Sequence, residues 1–170
     1  MKFLEVNNLD IEYQTRKETI YASKNVSFNL QRGEIIGIVG ESGSGKSTVA
    51  NAIINLIDKP GIITNGSIKL DGSELRNNAD VIKSIRGKKI GFVFQDPQTS
   101  LNPLFKIKDQ LIETIQTHSN HNYKEAETKS INLLREVGIE NPEKRIDDYP
   151  HQFSGGMRQR VVIALAISCE

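Results

Sequence analysis

The sequence predicts an α/β fold that opens with an antiparallel β region and carries a helical insert in its second half, and three observations support this. Short alternating apolar stretches occupy residues 3–30. A β-branched run leads through a glycine-rich loop into a helix-period pattern, and the segment from residue 96 to about 150 is more polar and helical in spacing.

Phe3-Leu4-Glu5-Val6 and Val26-Ser27-Phe28-Asn29-Leu30 alternate as strands with one wet face, and the polar stretch Gln14 to Glu18 is the loop between them. Gln31-Arg32-Gly33 is a turn. Glu34-Ile35-Ile36-Gly37-Ile38-Val39 then reads as a central strand buried on both faces and ending at Gly40. From Lys46 to Ile57 the residues Val49, Ala50, Ile53, Ile54 and Ile57 recur at helical spacing, until Lys59-Pro60-Gly61 stops the pattern. Asn65-Gly66 opens a strand over 67–70, closed by Asp71-Gly72, and Lys89 to Phe94 is a second buried run. Further on, Leu111, Ile112 and Ile115 share one helix face. Tyr123 to Val137 forms an amphipathic helix with Glu125 and Lys129 one turn apart, ending at Gly138. Val161 to Ile167 is apolar enough for a buried helix. These elements suggest a β region with a core over 1–95, a helical subdomain over 96–153, and a helix over 154–170 that returns to the core.

Composition narrows the function classes. A chain of 170 residues suits one compact domain. With 22 lysines and arginines against 21 acidic residues, the formal net charge is +1, which gives no basic stripe for nucleic acid. Cys169, the single cysteine, permits neither an internal disulfide nor a cysteine metal cluster, and a reducing compartment fits best. Met1 to Asn8 interrupts any apolar stretch with a carboxylate and amides. The run Val161 to Ile167 is far below spanning length, so the chain is expected neither to enter nor to cross a membrane unaided.

Gly40-Glu41-Ser42-Gly43-Ser44-Gly45-Lys46-Ser47 matches the spacing G-x-x-x-x-G-K-[ST], with Thr48 following. A strand before it and a helix after it would converge successive N–H groups and a helix N-terminus on one spot, for which phosphate is the natural occupant. Gly40, Gly43 and Gly45 let the backbone approach the oxygens, Lys46 reaches the terminal phosphates, and the Ser47 hydroxyl is a ligand for Mg²⁺. A second helix start aims the same way. Ser154 is a good N-cap, and the Gly155 and Gly156 amides are unobstructed, although an ordinary cap starting a core helix has the same sequence.

With Phe153-Ser154-Gly155-Gly156-Met157 in the place of a Leu-Ser-Gly-Gly-Gln signature, the chain resembles the ATP-binding subunits of ABC transporters. The resemblance is nearest to the peptide and nickel importer class, through Phe94-Gln95-Asp96-Pro97-Gln98-Thr99-Ser100-Leu101-Asn102-Pro103 and the run from Tyr149 to Arg160. It implies a P-loop ATPase core binding ATP and Mg²⁺. It also implies head-to-tail pairing with a second ATPase subunit, identical or not, so that Ser154, Gly155 and Gly156 meet ATP held by the other subunit. Gln95 resembles the residue that touches Mg²⁺ or the attacking water; its amide orients but is too weak a base to deprotonate water. Tyr13 resembles the aromatic residue that stacks on adenine, with a core or surface tyrosine as the plain alternative and Tyr21 as the fallback. Met157 departs from the family's glutamine and cannot hydrogen-bond a ribose as an amide does.

The resemblance further implies a transmembrane permease contacted through Gln95 to Pro103 and a location on the cytoplasmic face of the cell membrane. A soluble ABC-type ATPase without a permease is the rival reading. Read without the resemblance, Asp96 is a candidate Mg²⁺ ligand, against which Pro97 and the family's order argue. In the family the catalytic glutamate and switch histidine follow the signature helix, whereas this sequence reaches only Ser168-Cys169-Glu170. ATP binding with weak hydrolysis is therefore the expectation. His118 and His121 lie in a polar stretch and receive no role, and His151 is read as positioning the turn before Ser154.

Overall fold

A computed structural model describes residues 2–168, so Cys169 lies outside the described residues, as do the side chains of Pro97 and Gln98. The chain divides into two compact units, Met1–Ser84 and Ile85–Glu170. Among the described residues, no helix is long and apolar enough to cross a membrane.

The first unit is built on a four-stranded antiparallel sheet with strands in the order β2-β1-β3-β4. Its members are β1 (Lys2–Gln14), β2 (Thr19–Gln31), β3 (Gly61–Leu70) and β4 (Ser73–Glu74), joined by helix α1 (Lys46–Ile53) and followed by α2 (Ala79–Ile85). Both leading strands run well beyond the short stretches that alternation marks, because bulges interrupt the alternation without ending the strand. Val6, Leu9 and Ile11 are all fully buried, yet in a regular strand Val6 and Leu9 would face opposite sides. Pairing steps from Val6 opposite Phe28 to Leu9 opposite Val26, so β1 gains one residue there, and Asn8 takes up the kink with φ 47°. Gly66, expected to open β3, instead lies inside it. A Cβ there would come within 2.5 Å of the Asn7 and Asn8 carbonyl oxygens, so only glycine lets β3 pass the bulge.

Two expected strands are absent. Residues 34–39 form no ladder, and Ile35 and Val39 are 96% and 92% exposed. In the second unit, the run from Lys89 to Phe94 keeps one isolated bridge, Arg86 with Ile90. A β-branched run shows that a segment favours burial in a sheet; it does not supply the neighbouring strand, and none pairs with 34–39 among the described residues. Helix α1 likewise stops at Ile53, short of Ile57, with Asn55 at φ 52°.

The second unit is helical: α3 (Pro97–Ser100), α4 (Ile107–His118), α5 (Tyr123–Glu136), α6 (Pro142–Arg145), a 3-10 turn over Pro150–Gln152, and α7 (Gly155–Ile167). Its core joins Leu111, Ile112 and Ile115 of α4, Leu133 and Leu134 of α5, and Val161, Val162 and Ala164 of α7. Asn122 and Glu125 start α5 with a reciprocal capping box, and Gly138 ends it at φ 77°. Phe153 is buried against this core, which fixes the chain just before α7 starts.

Candidate functional site

The glycine-rich loop belongs to the first unit, where Lys46 folds back over it. The Lys46 ammonium donates to the carbonyl oxygens of Gly40 (2.9 Å) and Glu41 (2.6 Å) and to Ser44 Oγ (3.3 Å). Gly40 permits this closure, since a Cβ on it would meet Ser44 Oγ at 2.8 Å. The loop therefore curls around one cationic centre instead of extending as a surface turn.

Helix α1 begins at Gly45 with φ 86°, no side-chain cap and no acidic residue in its first turn. The first N–H groups of a helix have no partner within it, so this start leaves its donors and the positive end of its dipole to an anion. Gly45 is also held from behind. The pairing of β1 with β2 steps from Ile11 opposite Ser23 to Glu12 opposite Tyr21, which leaves Ala22 as the extra residue of a bulge. The Ala22 carbonyl oxygen stands 2.0 Å from where a Gly45 Cβ would be. Nothing in the sequence signals Ala22, because its role lies in its backbone. Glu41, Ser42, Gly43, Ser44 and Ser47 are exposed around the loop, and Thr48 is half-buried in the first turn of α1. Exposed hydroxyl oxygen beside an uncapped helix start suits a hard, oxygen-seeking cation, so Ser47 fits a Mg²⁺ ligand.

A cavity of about 650 Å³ lies beside the loop, with Gly40, Gly45, Lys46, Ser23 and Tyr21 among its walls. Tyr21 is 61% exposed, and the Lys24 ammonium sits 5.6 Å from its ring centroid. Tyr13 is not among the lining residues; it is half-buried on β1 with its ring against Gly61.

The second helix start belongs to the other unit. Ser154 has extended backbone, and its Oγ accepts from the Met157 N–H at 3.3 Å, which makes it the N-cap of the 13-residue α7. Ser154, Gly155 and Gly156 are exposed, and a Cβ on either glycine would meet open space. A cavity of about 320 Å³ adjoins this start, with Gly156, Met157, Arg145 and Arg160 among its walls. Arg160 spans from α7 to the end of α5, donating to the Gly138 carbonyl oxygen at 2.6 Å.

Gln95 is exposed at a bend, outside any strand. The Asp96 carbonyl oxygen accepts from Ser100 Oγ (2.8 Å) and Thr99 Oγ1 (3.2 Å), which knits the start of α3. The residues that follow are organised by Gln110, a residue that sequence reasoning passed over. Its side chain accepts from the Asn102 N–H at 2.9 Å and donates to the Asn102 and Phe105 carbonyl oxygens at 3.0 Å each. Leu104, 80% exposed, and the exposed Phe105 are thereby held outward on a tight loop. The His151 ring stacks on Tyr149, with centroids 5.7 Å apart.

The family profile described as ABC transporter matches residues 23–170. The oligopeptide transport ATP-binding protein OppD of Bacillus subtilis (strain 168) is 44% identical over 169 residues, covering 98% of this chain and 47% of that protein. The dipeptide transport ATP-binding protein DppD of Escherichia coli (strain K12) is 40% identical over 170 residues, covering 99% of this chain and 52% of its own length. The chain thus spans about half the length of the curated relatives it matches. Among solved structures, the dimeric ATP-binding cassette MJ0796, in a post-hydrolysis state bound to ADP and phosphate, has a TM-score of 0.85 at 32% identity. That match covers 98% of this chain and 69% of the cassette.

Proposed function

The chain belongs to the ABC transporter family, and from that premise we propose that it is the ATP-binding part of a peptide-class importer that couples ATP binding to transport. The observation that carries the proposal is the phosphate loop, with Lys46 closed over the Gly40 and Glu41 carbonyls beside the uncapped start of α1. The names of the relatives, oligopeptide and dipeptide transport proteins, favour peptides as cargo and a permease as partner over a free-standing ATPase.

In this reading the N–H groups of Gly43 to Thr48 hold the phosphates and Lys46 compensates their charge. Ser47 would hold Mg²⁺, which when bound draws off charge from the phosphate oxygens. Tyr13 is the proposed stacking partner of adenine by resemblance, with Tyr21, which lines the loop's cavity, as the fallback. Gln95 orients water but is too weak a base to deprotonate it, so hydrolysis that relied on Gln95 as its base would be slow. Ser154, Gly155 and Gly156 present N–H groups to ATP held by a second, head-to-tail subunit; the dimeric cassette relative supports such pairing. The Gln95 to Pro103 region, whose following loop holds Leu104 and Phe105 outward, faces the permease at the cytoplasmic surface of the membrane.

Calorimetric titration with ATP and Mg²⁺ tests the first step. Saturable one-to-one binding that weakens on the order of 100-fold in Lys46→Ala is expected, because a charge-assisted contact with phosphate is lost. Equal binding by the variant would overturn the proposal. A steady-state turnover near 1 s⁻¹, the low end of ordinary enzyme rates, would overturn the expectation of slow hydrolysis. Co-purification with a polytopic membrane protein tests the permease, and its loss in Leu104→Glu would locate the contact.

A further inference from the structure

We infer that Asp147 is a positioning residue for the Ser154 turn, holding that turn against the start of α4 by pairing with Lys108. The inference rests on the proposed role of Ser154 toward a nucleotide and concerns how the turn is kept in place.

The start of α4 has an unusual cap. Its N-cap residue, Lys106, makes no side-chain cap. The Ile107 N–H instead donates to the Asp148 carbonyl oxygen at 3.0 Å and the Lys108 N–H to the Ile146 carbonyl oxygen at 2.8 Å. Two donors that a helix leaves unsatisfied are thus taken up by backbone some forty residues further along the chain. Asp147, between those two carbonyls, places its carboxylate at the positive end of α4. Its Oδ1 is 3.2 Å from the Lys108 ammonium and 3.4 Å from that of Lys106, and Lys108 also reaches Glu127 on α5 at 3.2 Å. The Lys108 side chain is only 21% exposed, so its charge has less access to water than that of a free surface lysine. Bonding to Asp147 is the leading cause that raises the pKa of Lys108, and bonding to Lys108 the leading cause that lowers that of Asp147.

From Asp148 to Ser154 the chain is short and lightly bonded. The Tyr149 N–H donates to Gln152 Oε1 at 2.8 Å, the Gln152 N–H to the Tyr149 carbonyl oxygen at 2.9 Å, and the Phe153 N–H to the Pro150 carbonyl oxygen at 3.2 Å. At one end Phe153 is buried. At the other, residues 146–148 are clamped on α4, and Arg145 bonds Asp148 Oδ2 at 3.0 Å while lying 5.9 Å from the Phe153 ring centroid. Ser154 therefore takes its place from two anchors, of which Asp147 organises one. Gln110 ties the loop bearing Leu104 and Phe105 to the same helix start, so that loop, α4 and residues 146–148 leading into the Ser154 turn are hydrogen-bonded together.

Because Asp147 is half exposed, the pair adds little to global stability, which makes the inference testable. Amide exchange is measured by NMR on the 170-residue chain without nucleotide, in Asp147→Asn, Lys108→Met and the double variant. The expected result is about fivefold faster exchange at Gln152, Phe153 and Met157 in each single variant, no further change in the double, and unchanged helix-interior amides at Ile115 and Leu134. Lys108→Arg, which keeps the charge, is expected to restore most of the protection. Uniform acceleration of all five amides would show ordinary stabilisation, and unchanged exchange would show no role; either overturns the inference. Because no nucleotide is present, neither outcome depends on whether Ser154 meets ATP.

Discussion

The two helix starts that face outward with glycine are built in opposite ways. Helix α1 starts at a glycine in left-handed backbone with no side-chain cap, braced from behind by the Ala22 carbonyl. Helix α7 starts at Ser154 in extended backbone, with its own hydroxyl on the Met157 N–H and open space around Gly155 and Gly156. The first start has no internal substitute for an anion, whereas the second satisfies one donor itself and leaves the others facing outward. In the proposed function, the start that would enclose phosphate is the one with the vacant cap and the braced backbone, and the start that would complete a partner's site is the one that keeps its cap and stays accessible.

The same glycine-to-alanine change separates them most sharply. Gly45→Ala forces a side chain into left-handed backbone and onto the Ala22 carbonyl, and is expected to cost about 2–4 kcal/mol. Urea unfolding measures it, and a loss below about 0.5 kcal/mol, the scatter of neutral surface changes, would remove the brace from the account. Next is the base platform. Tyr13→Ala is expected to weaken ATP binding about tenfold through lost stacking, with Tyr21→Ala nearly neutral. The reverse result in the same titration would give the role to Tyr21, which already lines the loop's cavity.

Ser154→Ala is expected to cost about 1 kcal/mol of stability and Ser154→Asn far less, since asparagine also caps. Equal midpoints for serine and alanine in thermal unfolding would mean that the cap contributes nothing. Gly155→Ala, in contrast to Gly45→Ala, is expected to stabilise by about 0.5 kcal/mol, because α7 has room for a methyl group there and helical glycine is entropically costly.

The smallest effect is acid sensitivity at the start of α4. Asp147 faces Lys106 and Lys108, with Glu127 on the far side of Lys108 and Arg145 paired to Asp148 beside it. Its pKa is lowered by folding, chiefly through the Lys108 hydrogen bond. Its contribution is therefore fully present above the ordinary carboxylate range and lost as pH falls through the lowered folded value. Lys108 runs the other way: its raised pKa keeps its contribution below the ordinary lysine range and loses it only as pH rises through the folded value. Stability from this pair is expected to be flat from about pH 5 to 9, and Asp147→Asn should flatten the acid limb of an unfolding-versus-pH curve. An unchanged acid limb would show that the pair is not what acid breaks.

Much of the candidate site was legible because it is written in contiguous residues. Gly40 to Ser47 and Ser154 to Gly156 are local patterns whose chemistry needs only a few consecutive backbone groups, and both emerged outward-facing at helix starts. The helical face Leu111, Ile112 and Ile115 was equally plain, since one turn of helix fixes which residues share a side. Less was legible where a distant segment decides. The run over 34–39 looked like a buried strand and lies exposed, because periodicity cannot name a pairing partner. The lengths of β1 and β2 were hidden by bulges at Asn8 and Ala22 that break the period of two. Gln110, Lys108 and Asp147 belong to no local sequence pattern that marks them.

The amino-acid sequence by itself determined that this chain has a phosphate loop, a second exposed helix start and a family. Those properties rest on short-range geometry: a glycine in a fixed place, a hydroxyl at a cap, an apolar residue every third or fourth position. The tertiary structure alone decided what stands behind each of them. The Ala22 carbonyl under Gly45 and the Ile146 and Asp148 carbonyls on α4 are backbone groups brought from far along the chain, and a backbone carbonyl leaves no mark in the identity of its residue.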